Sequence, residues 1–272
     1  MVTRHELSGW NRSMTDFLDT LARDAQKTIL NGYYTVAFEE KHAPLSLTTA
    51  ILTCTHAPLI TEIKFASPSH GRIRENRDIE RIASSLQRGG AVAISILTEP
   101  KHFEGSISIF SRVRAQVSLP LLMKDILLTR IQIDAAAAIG ADAILLIYAL
   151  FERGYGECDV EDLIDYAHTN GLEVLLETHT KTEFSSAMDT KADLVGINNR
   201  DLRTFAVDLN ATKNILQTMP STRKVVVSES GIKTPTDIRF LHASGAKAFL
   251  VGSALMEAED IERKVRELVM AL

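Results

Sequence analysis

From Leu59 onward the chain alternates between short apolar runs and longer amphipathic segments. The apolar runs are Leu59–Lys64, Ala91–Leu97, Leu119–Met123, Ala143–Ile147, Leu172–Leu176, Leu194–Asn198, Lys224–Ser228 and Ala248–Val251. They are nearly continuous rather than alternating, as expected of parallel strands covered on both faces. Helical spacing follows each run, at Asn76–Gln87, Ser106–Gln116, Thr129–Ile139, Val160–Thr169, Thr182–Met188, Leu209–Met219, Pro235–Ala243 and Asp260–Met270. Gly89-Gly90, Gly140, Asn170-Gly171 and Gly245 stand where helices should stop. The strand starts recur roughly every 20–30 residues, the length of one βα unit. Eight such units predict an α/β fold, a (β/α)8 TIM barrel. A doubly wound open sheet is the other arrangement considered, but the first strand lacks the G-x-G-x-x-G turn of its dinucleotide-binding form.

The stretch before the barrel reads differently. Phe17, Leu18, Leu21, Ala25 and Ile29-Leu30 recur at helical spacing, with Arg23, Asp24 and Lys27 on the other face. This predicts a packing or capping helix from Ser13 or Thr15 to Asn31-Gly32, and Leu47–Leu52 forms a second short one. The expectation is a single barrel domain over residues 1–272, with 1–48 as an N-terminal helical extension. A net charge of −5 gives no general attraction to nucleic acid or an anionic membrane. No apolar run is long enough to span a bilayer and no signal core follows the charged N-terminus, so the expectation is a cytoplasmic protein. Two cysteines far apart make no disulfide framework. Cys54 and His56 have no further ligand pair nearby, so no metal site is expected.

In this fold the chemistry sits at the C-terminal ends of the strands. Glu62 and Lys64 end the first strand, two apart and therefore on one face. Lys124 ends the third strand and Glu177 the fifth. The sixth ends in Asn198-Asn199-Arg200, the seventh in Ser228-Glu229-Ser230-Gly231 and the eighth in Gly252-Ser253. Lys and Glu are rarely buried unless paired or working. A desolvated lysine near another cation has a lowered pKa and serves as a general acid near neutral pH, which is the expectation for Lys124. Ser230-Gly231 and Gly252-Ser253 each place a hydroxyl beside a backbone open to close approach, and both lead into helical pattern. That predicts phosphate binding in the last two loops. His70, His179 and His242 read as surface residues or as supports behind the site.

Together these strand ends resemble indole-3-glycerol phosphate synthase. The residues carrying the resemblance are Glu62-x-Lys64-x-x-Ser67-Pro68-Ser69, Leu122-Met123-Lys124-Asp125, Gly140 to Leu146, Glu177, Ile197 to Leu202, Ser228-Glu229-Ser230-Gly231 and Val251-Gly252-Ser253-x-Leu255-Met256. They run in order from about Ile60 to the C-terminus, and the first motif is the most specific. The resemblance implies conversion of 1-(2-carboxyphenylamino)-1-deoxyribulose 5-phosphate to indole-3-glycerol phosphate, with loss of carbon dioxide and water. It implies no cofactor and no metal, a phosphorylated small molecule as ligand, and other tryptophan-pathway enzymes as partners. By the same resemblance Lys124 is the general acid, Glu177 the acid/base of dehydration, and Glu62 its neighbour binding the reacting hydroxyl. Lys64 binds the anionic substrate and is a second candidate for the acid role, the assignment of the two lysines to steps being left open; Asn198 orients the substrate and Arg200 holds the site together. Ser67, Ser230, Gly231, Gly252 and Ser253 match phosphate and substrate contacts, and Phe103 and Leu145 match apolar walls of the anthranilate pocket.

Phe65 stands where the family is often basic or small, and Ile126 where it usually has phenylalanine. The segment Glu152–Asp159 is longer than in compact relatives, and the extension matches only in helical character. A related barrel isomerase, phosphoribosylanthranilate isomerase, is the alternative. It is expected to use a cysteine–aspartate pair at strand ends, and neither cysteine ends a predicted strand here. A non-catalytic phosphate-binding scaffold is a third reading, opposed by the joint presence of Glu62, Lys64, Lys124, Glu177 and Asn198.

Overall fold

A computed structural model describes residues 16–36, 42–68, 71–74, 78–219 and 223–272. Eight parallel strands close into a barrel: β1 (Leu59–Ile63), β2 (Ala93–Leu97), β3 (Leu121–Lys124), β4 (Ala143–Ile147), β5 (Glu173–Thr178), β6 (Leu194–Asn198), β7 (Val225–Glu229) and β8 (Ala248–Val251). Each pairs with the next, and β8 returns to β1. The helices are α1 (Phe17–Leu30), α2 (Leu47–Leu52), α3 (Ile79–Arg88), α4 (Ile107–Gln116), α5 (Arg130–Ala138), α6 (Tyr148–Glu152), α7 (Val160–Thr169), α8 (Lys181–Asp189), α9 (Asn210–Leu216), α10 (Pro235–Ala243), α11 (Ser253–Met256) and α12 (Ile261–Val269). This is the (β/α)8 architecture expected from the alternation. The starts considered for the first helix, Ser13 and Thr15, lie outside the described residues, as do Ser69, His70 and Asn76. Asp16 caps α1 instead, in a reciprocal capping box with Asp19.

Strand alternation sorts the apolar residues into two clusters. Ile60, Leu122, Leu145, Leu175, Leu194, Val227 and Leu250 belong to an inner cluster. Ile63, Met123, Leu146, Leu176, Val195, Val226 and Phe249 belong to the cluster packed with the surrounding helices. Two positions beyond inner-face residues come Glu62, Lys124, Glu177 and Glu229, so the same pleat carries all four toward the barrel axis. The inner apolar layers form their floor.

The segments before β1 cover both barrel ends. Leu47 and Ile51 of α2 join the inner cluster, and the Glu173 carboxylate at the start of β5 accepts bonds from Ser46 Oγ and from Thr48 N–H and Oγ1. At the other end α1 buries Leu18, Leu21, Ala22 and Ala25. Some sequence expectations shift. The fourth strand runs directly into α6 rather than a loop, and the ninth helix is shorter than expected, Asn210–Leu216. Phe65, a departure from the family pattern, is buried among the outer cluster and does not face the barrel mouth.

Candidate active site

The strand ends enclose a cavity of about 400 Å³, within the usual range for a small-molecule site. All the site residues singled out from the sequence line it: Glu62, Lys64, Ser67, Phe103, Lys124, Leu145, Glu177, Asn198, Arg200, Ser230, Gly231, Gly252 and Ser253.

Lys124 is the hub. Its Nζ donates to Glu177 Oε2 at 3.1 Å and to Glu229 Oε2 at 3.0 Å. Lys64 Nζ pairs with Glu62 Oε1 at 2.8 Å. Asn198 Nδ2 donates to Glu177 Oε1 at 2.9 Å, while its Oδ1 accepts the Arg200 backbone N–H at 3.0 Å. Arg200 Nη1 in turn donates to the Phe205 carbonyl at 3.1 Å, so this guanidinium holds the loop after β6. The Glu99 carboxylate accepts the backbone N–H groups of Lys101, His102 and Phe103, which fixes Phe103 at the cavity. Two glycines give the carboxylates room. A Cβ at Gly196 would lie 2.2 Å from Glu229 Oε1, and one at Gly252 would lie 2.4 Å from Glu62 Oε1. Gly252 thus serves Glu62 as well as the expected phosphate end.

The electrostatics correct one expectation. Burial disfavours the Lys124 charge, but Glu229, Glu177 and Glu62 outweigh that and hold its pKa above the ordinary lysine range, not below it. The sequence reading placed a second cation beside this lysine, and the structure places carboxylates there. Glu177, although desolvated, is held below its ordinary range by Lys124, His179 and Asn198. Desolvation pushes Glu229 up, to about 7, and its Oε1 is buried without a hydrogen-bond partner. Of the two carboxylates on Lys124, Glu229 is the one less able to stay charged.

The phosphate-loop expectation is half altered. Gly252-Ser253 opens directly into α11, but Ile232, Lys233 and Thr234 separate Gly231 from α10. The Thr234/Asp237 capping box already occupies that helix end. What Ser230 and Gly231 do present is a left-handed backbone, φ 69° and 84°, beside exposed Lys233 at the cavity rim.

Lining residues that the sequence left without a site role include Glu229, Phe17, Leu21 and Phe205. Glu229 was visible as two beyond Val227 on an inward face. Phe17 and Phe205 meet edge to face at 5.2 Å across the mouth, a contact between distant segments with no local signal. α1 is tied down around them. Lys101 Nζ and His102 Nε2 contact the buried Asp24 carboxylate at 2.6 and 3.0 Å. Arg153 Nη1 reaches Asp16 and Asp19 at 2.7 and 2.9 Å, and Tyr155 Oη donates to Asp19. The long Glu152–Asp159 segment therefore has a visible job, holding α1 over the cavity.

Fold and site together define a (β/α)8 barrel with an enclosed lysine–carboxylate cluster suited to proton transfer. The family model described as indole-3-glycerol phosphate synthase matches residues 20–268, so the likeness extends into the N-terminal helix and begins well before Ile60. An indole-3-glycerol phosphate synthase of Methanocaldococcus jannaschii is 43% identical over 235 residues, covering 85% of each chain. One of Dehalococcoides mccartyi is 38% identical over 263 residues, covering 95% of this chain and 98% of the relative. Among solved structures, a thiamine phosphate pyrophosphorylase from Pyrococcus furiosus has a TM-score of 0.57 at 20% identity, covering 82% of this chain and 96% of that one. An N-acetylmannosamine-6-phosphate 2-epimerase from Clostridium perfringens has a TM-score of 0.59 at 18% identity, covering 79% and 93%. At such identities these two share the fold alone. The chain belongs to the indole-3-glycerol phosphate synthase family, carboxy-lyases of tryptophan biosynthesis that act on a phosphorylated small molecule.

Proposed function

We propose that this chain converts 1-(2-carboxyphenylamino)-1-deoxyribulose 5-phosphate to indole-3-glycerol phosphate, with Lys124 and Glu177 as its principal acid and base. The observation that carries the reading is Lys124 Nζ held between Glu177 and Glu229 on the floor of an enclosed cavity. Ring closure turns the substrate ketone into an alkoxide as the aromatic carbon attacks. A lysine kept firmly charged supports this step, because the developing alkoxide is a stronger base than the amine and takes the proton as it forms. Carbon dioxide then leaves and restores a neutral intermediate. Dehydration needs a base to take a proton and an acid to release the hydroxyl. Glu177, kept ionised by its neighbours, suits the first task; Glu62 binds the departing hydroxyl, and the Lys64 ammonium paired with it donates the proton that lets it leave as water. Lys64 also meets the anionic substrate, and Asn198 orients it. Ser67, Ser230, Gly231, Gly252 and Ser253 form the phosphate end. Phe103 and Leu145 flank the anthranilate ring, with Arg200 bracing the loop that carries Phe205.

Cys54 lies before β1, at the opposite barrel end, and Cys158 precedes α7; neither lines the cavity, so nothing favours the cysteine–aspartate isomerase. We further propose one domain over residues 1–272 with 1–48 as its extension, a cytoplasmic setting, no nucleic-acid or membrane partner, and other tryptophan-pathway enzymes as partners. None of the described helices is long and apolar enough to cross a membrane.

The test is a steady-state assay following indole fluorescence from the carboxyphenylamino substrate; folded protein without turnover overturns the proposal. Lys124→Ala should lower kcat by at least about a hundredfold, the usual size of an acid/base contribution. A kcat near wild type with only KM raised would remove Lys124 from the acid role.

A further inference from the structure

His179 approaches the reacting cluster without lining the cavity. It follows β5 by one residue and lies behind Glu177, largely buried. Its Nε2 is 3.3 Å from Glu177 Oε1 without forming a well-directed hydrogen bond, and its Nδ1 is 3.7 Å from Glu183 Oε2. Glu183 is itself pinned. It is the third residue of α8, its backbone N–H donates to Thr180 Oγ1, and its Oε2 accepts the His179 backbone N–H at 2.8 Å. The imidazole is therefore held between a fixed outer carboxylate and the inner one that faces the substrate.

We propose that His179 is a positioning residue: an imidazolium clamped between Glu183 and Glu177 that keeps Glu177 ionised and aimed into the cavity. This rests on Glu177 being the base of dehydration. Lys124 alone does not account for its ionisation, because Lys124 is shared with Glu229 and is needed as a proton donor. When Lys124 gives up its proton, Glu177 loses its nearest cation. His179 supplies a second one that the substrate does not touch. Carboxylates from four elements act on the imidazole, with the Lys124 ammonium beyond Glu177. Glu177 comes from β5, Glu183 from α8, Glu229 from β7 and Asp201 from the loop after β6. Burial works against the imidazolium, but these carboxylates outweigh it and raise the pKa above that of free histidine.

Two experiments decide it. The first is the pH profile of kcat for wild type and His179→Gln. An opposite charge this close lowers a carboxylate pKa by about one unit or more. The variant's acid limb should therefore move up by at least about one unit, with kcat reduced about tenfold at pH values below the limb and recovering at high pH. A uniform loss across pH, or no change, overturns the proposal. The second uses the wild-type fold: NMR titration of the histidine Cε1–H, with His179 assigned by its loss in the Gln variant or through the backbone. His179 should titrate above about 6.5, the free-imidazole value, and lower in Glu183→Gln. Titration at or below 6.5, or indifference to Glu183→Gln, overturns the proposal even if His179→Gln fails to fold. If wild type shows no turnover, the synthase reading fails at its own assay, while the titration still reports whether the clamp exists.

Discussion

Glu229 is 1% exposed, with one oxygen on Lys124 and the other unpartnered. Its folded-state pKa, raised from 4.5 to about 7, lies above the unfolded value. As pH rises the unfolded chain releases this proton first, so the folded state loses stability between about pH 4.5 and 7. Glu229→Gln mimics the protonated acid and escapes that loss. Its Tm relative to wild type should therefore rise between pH 5 and pH 8, by the equivalent of on the order of 2 kcal/mol. Thermal melts at the two pH values check this, and a constant difference would mean that Glu229 ionises normally. The residue also shows where sequence reading ran short. Val225, Val227 and Glu229 share the inward face, but the apolar run stops at Ser228 and leaves Glu229 at the strand end with no face assigned. One residue of strand length separates a turn acid from an inward one. The same holds for Lys124: its place at a strand end was legible, but its pKa direction was not, since that depends on which charges three other strands bring to it.

At the scale of elements, the strands and most helices were readable because their signals are local: apolar runs, helical spacing and terminal glycines. The lid was not. The sequence marks α1 as amphipathic, but only tertiary contacts show that it lies across the barrel mouth with Phe17 and Leu21 in the cavity. The Lys101 ammonium and His102 hold the Asp24 carboxyl well below its usual range, as expected of a buried anchor. Asp24→Ala leaves Lys101 and His102 without this partner and frees α1 at its middle, while Arg153 still holds its start. The cavity residues that move protons are untouched. KM should rise about tenfold, roughly the 1–2 kcal/mol expected for loss of a hydrogen-bonded charged anchor, with kcat changed much less. Amide exchange in Phe17–Leu30 should quicken in parallel. An unchanged KM with faster exchange would show that α1 closes over the cavity without helping to hold the substrate.

The whole molecule is acidic, at −5, yet its proposed ligand carries a phosphate and a carboxylate. The cavity resolves this only in part. Lys64 and Lys124 face Glu62, Glu177 and Glu229, so with every acid ionised the cluster is net negative and repels an anion. Of the two carboxylates on Lys124, Glu229 has the weaker hold on its charge, and an arriving anion raises its pKa further. Binding should therefore draw a proton from solution. At pH 8 a phosphate ester is already doubly ionised and Glu229 is mostly charged in the free protein, so the uptake belongs to the protein. Calorimetric titration with indole-3-glycerol phosphate, in two buffers of different ionisation enthalpy, measures the number. Wild type should take up about half a proton or more per ligand bound, and Glu229→Gln close to none, with an affinity that falls less steeply as pH rises. Zero uptake by wild type would mean that the lysines alone carry the anion. Equal uptake by both proteins would move the proton to another group, and Asp125, buried in the cavity wall and likewise pushed up to about 7, is the first to examine with the same titration.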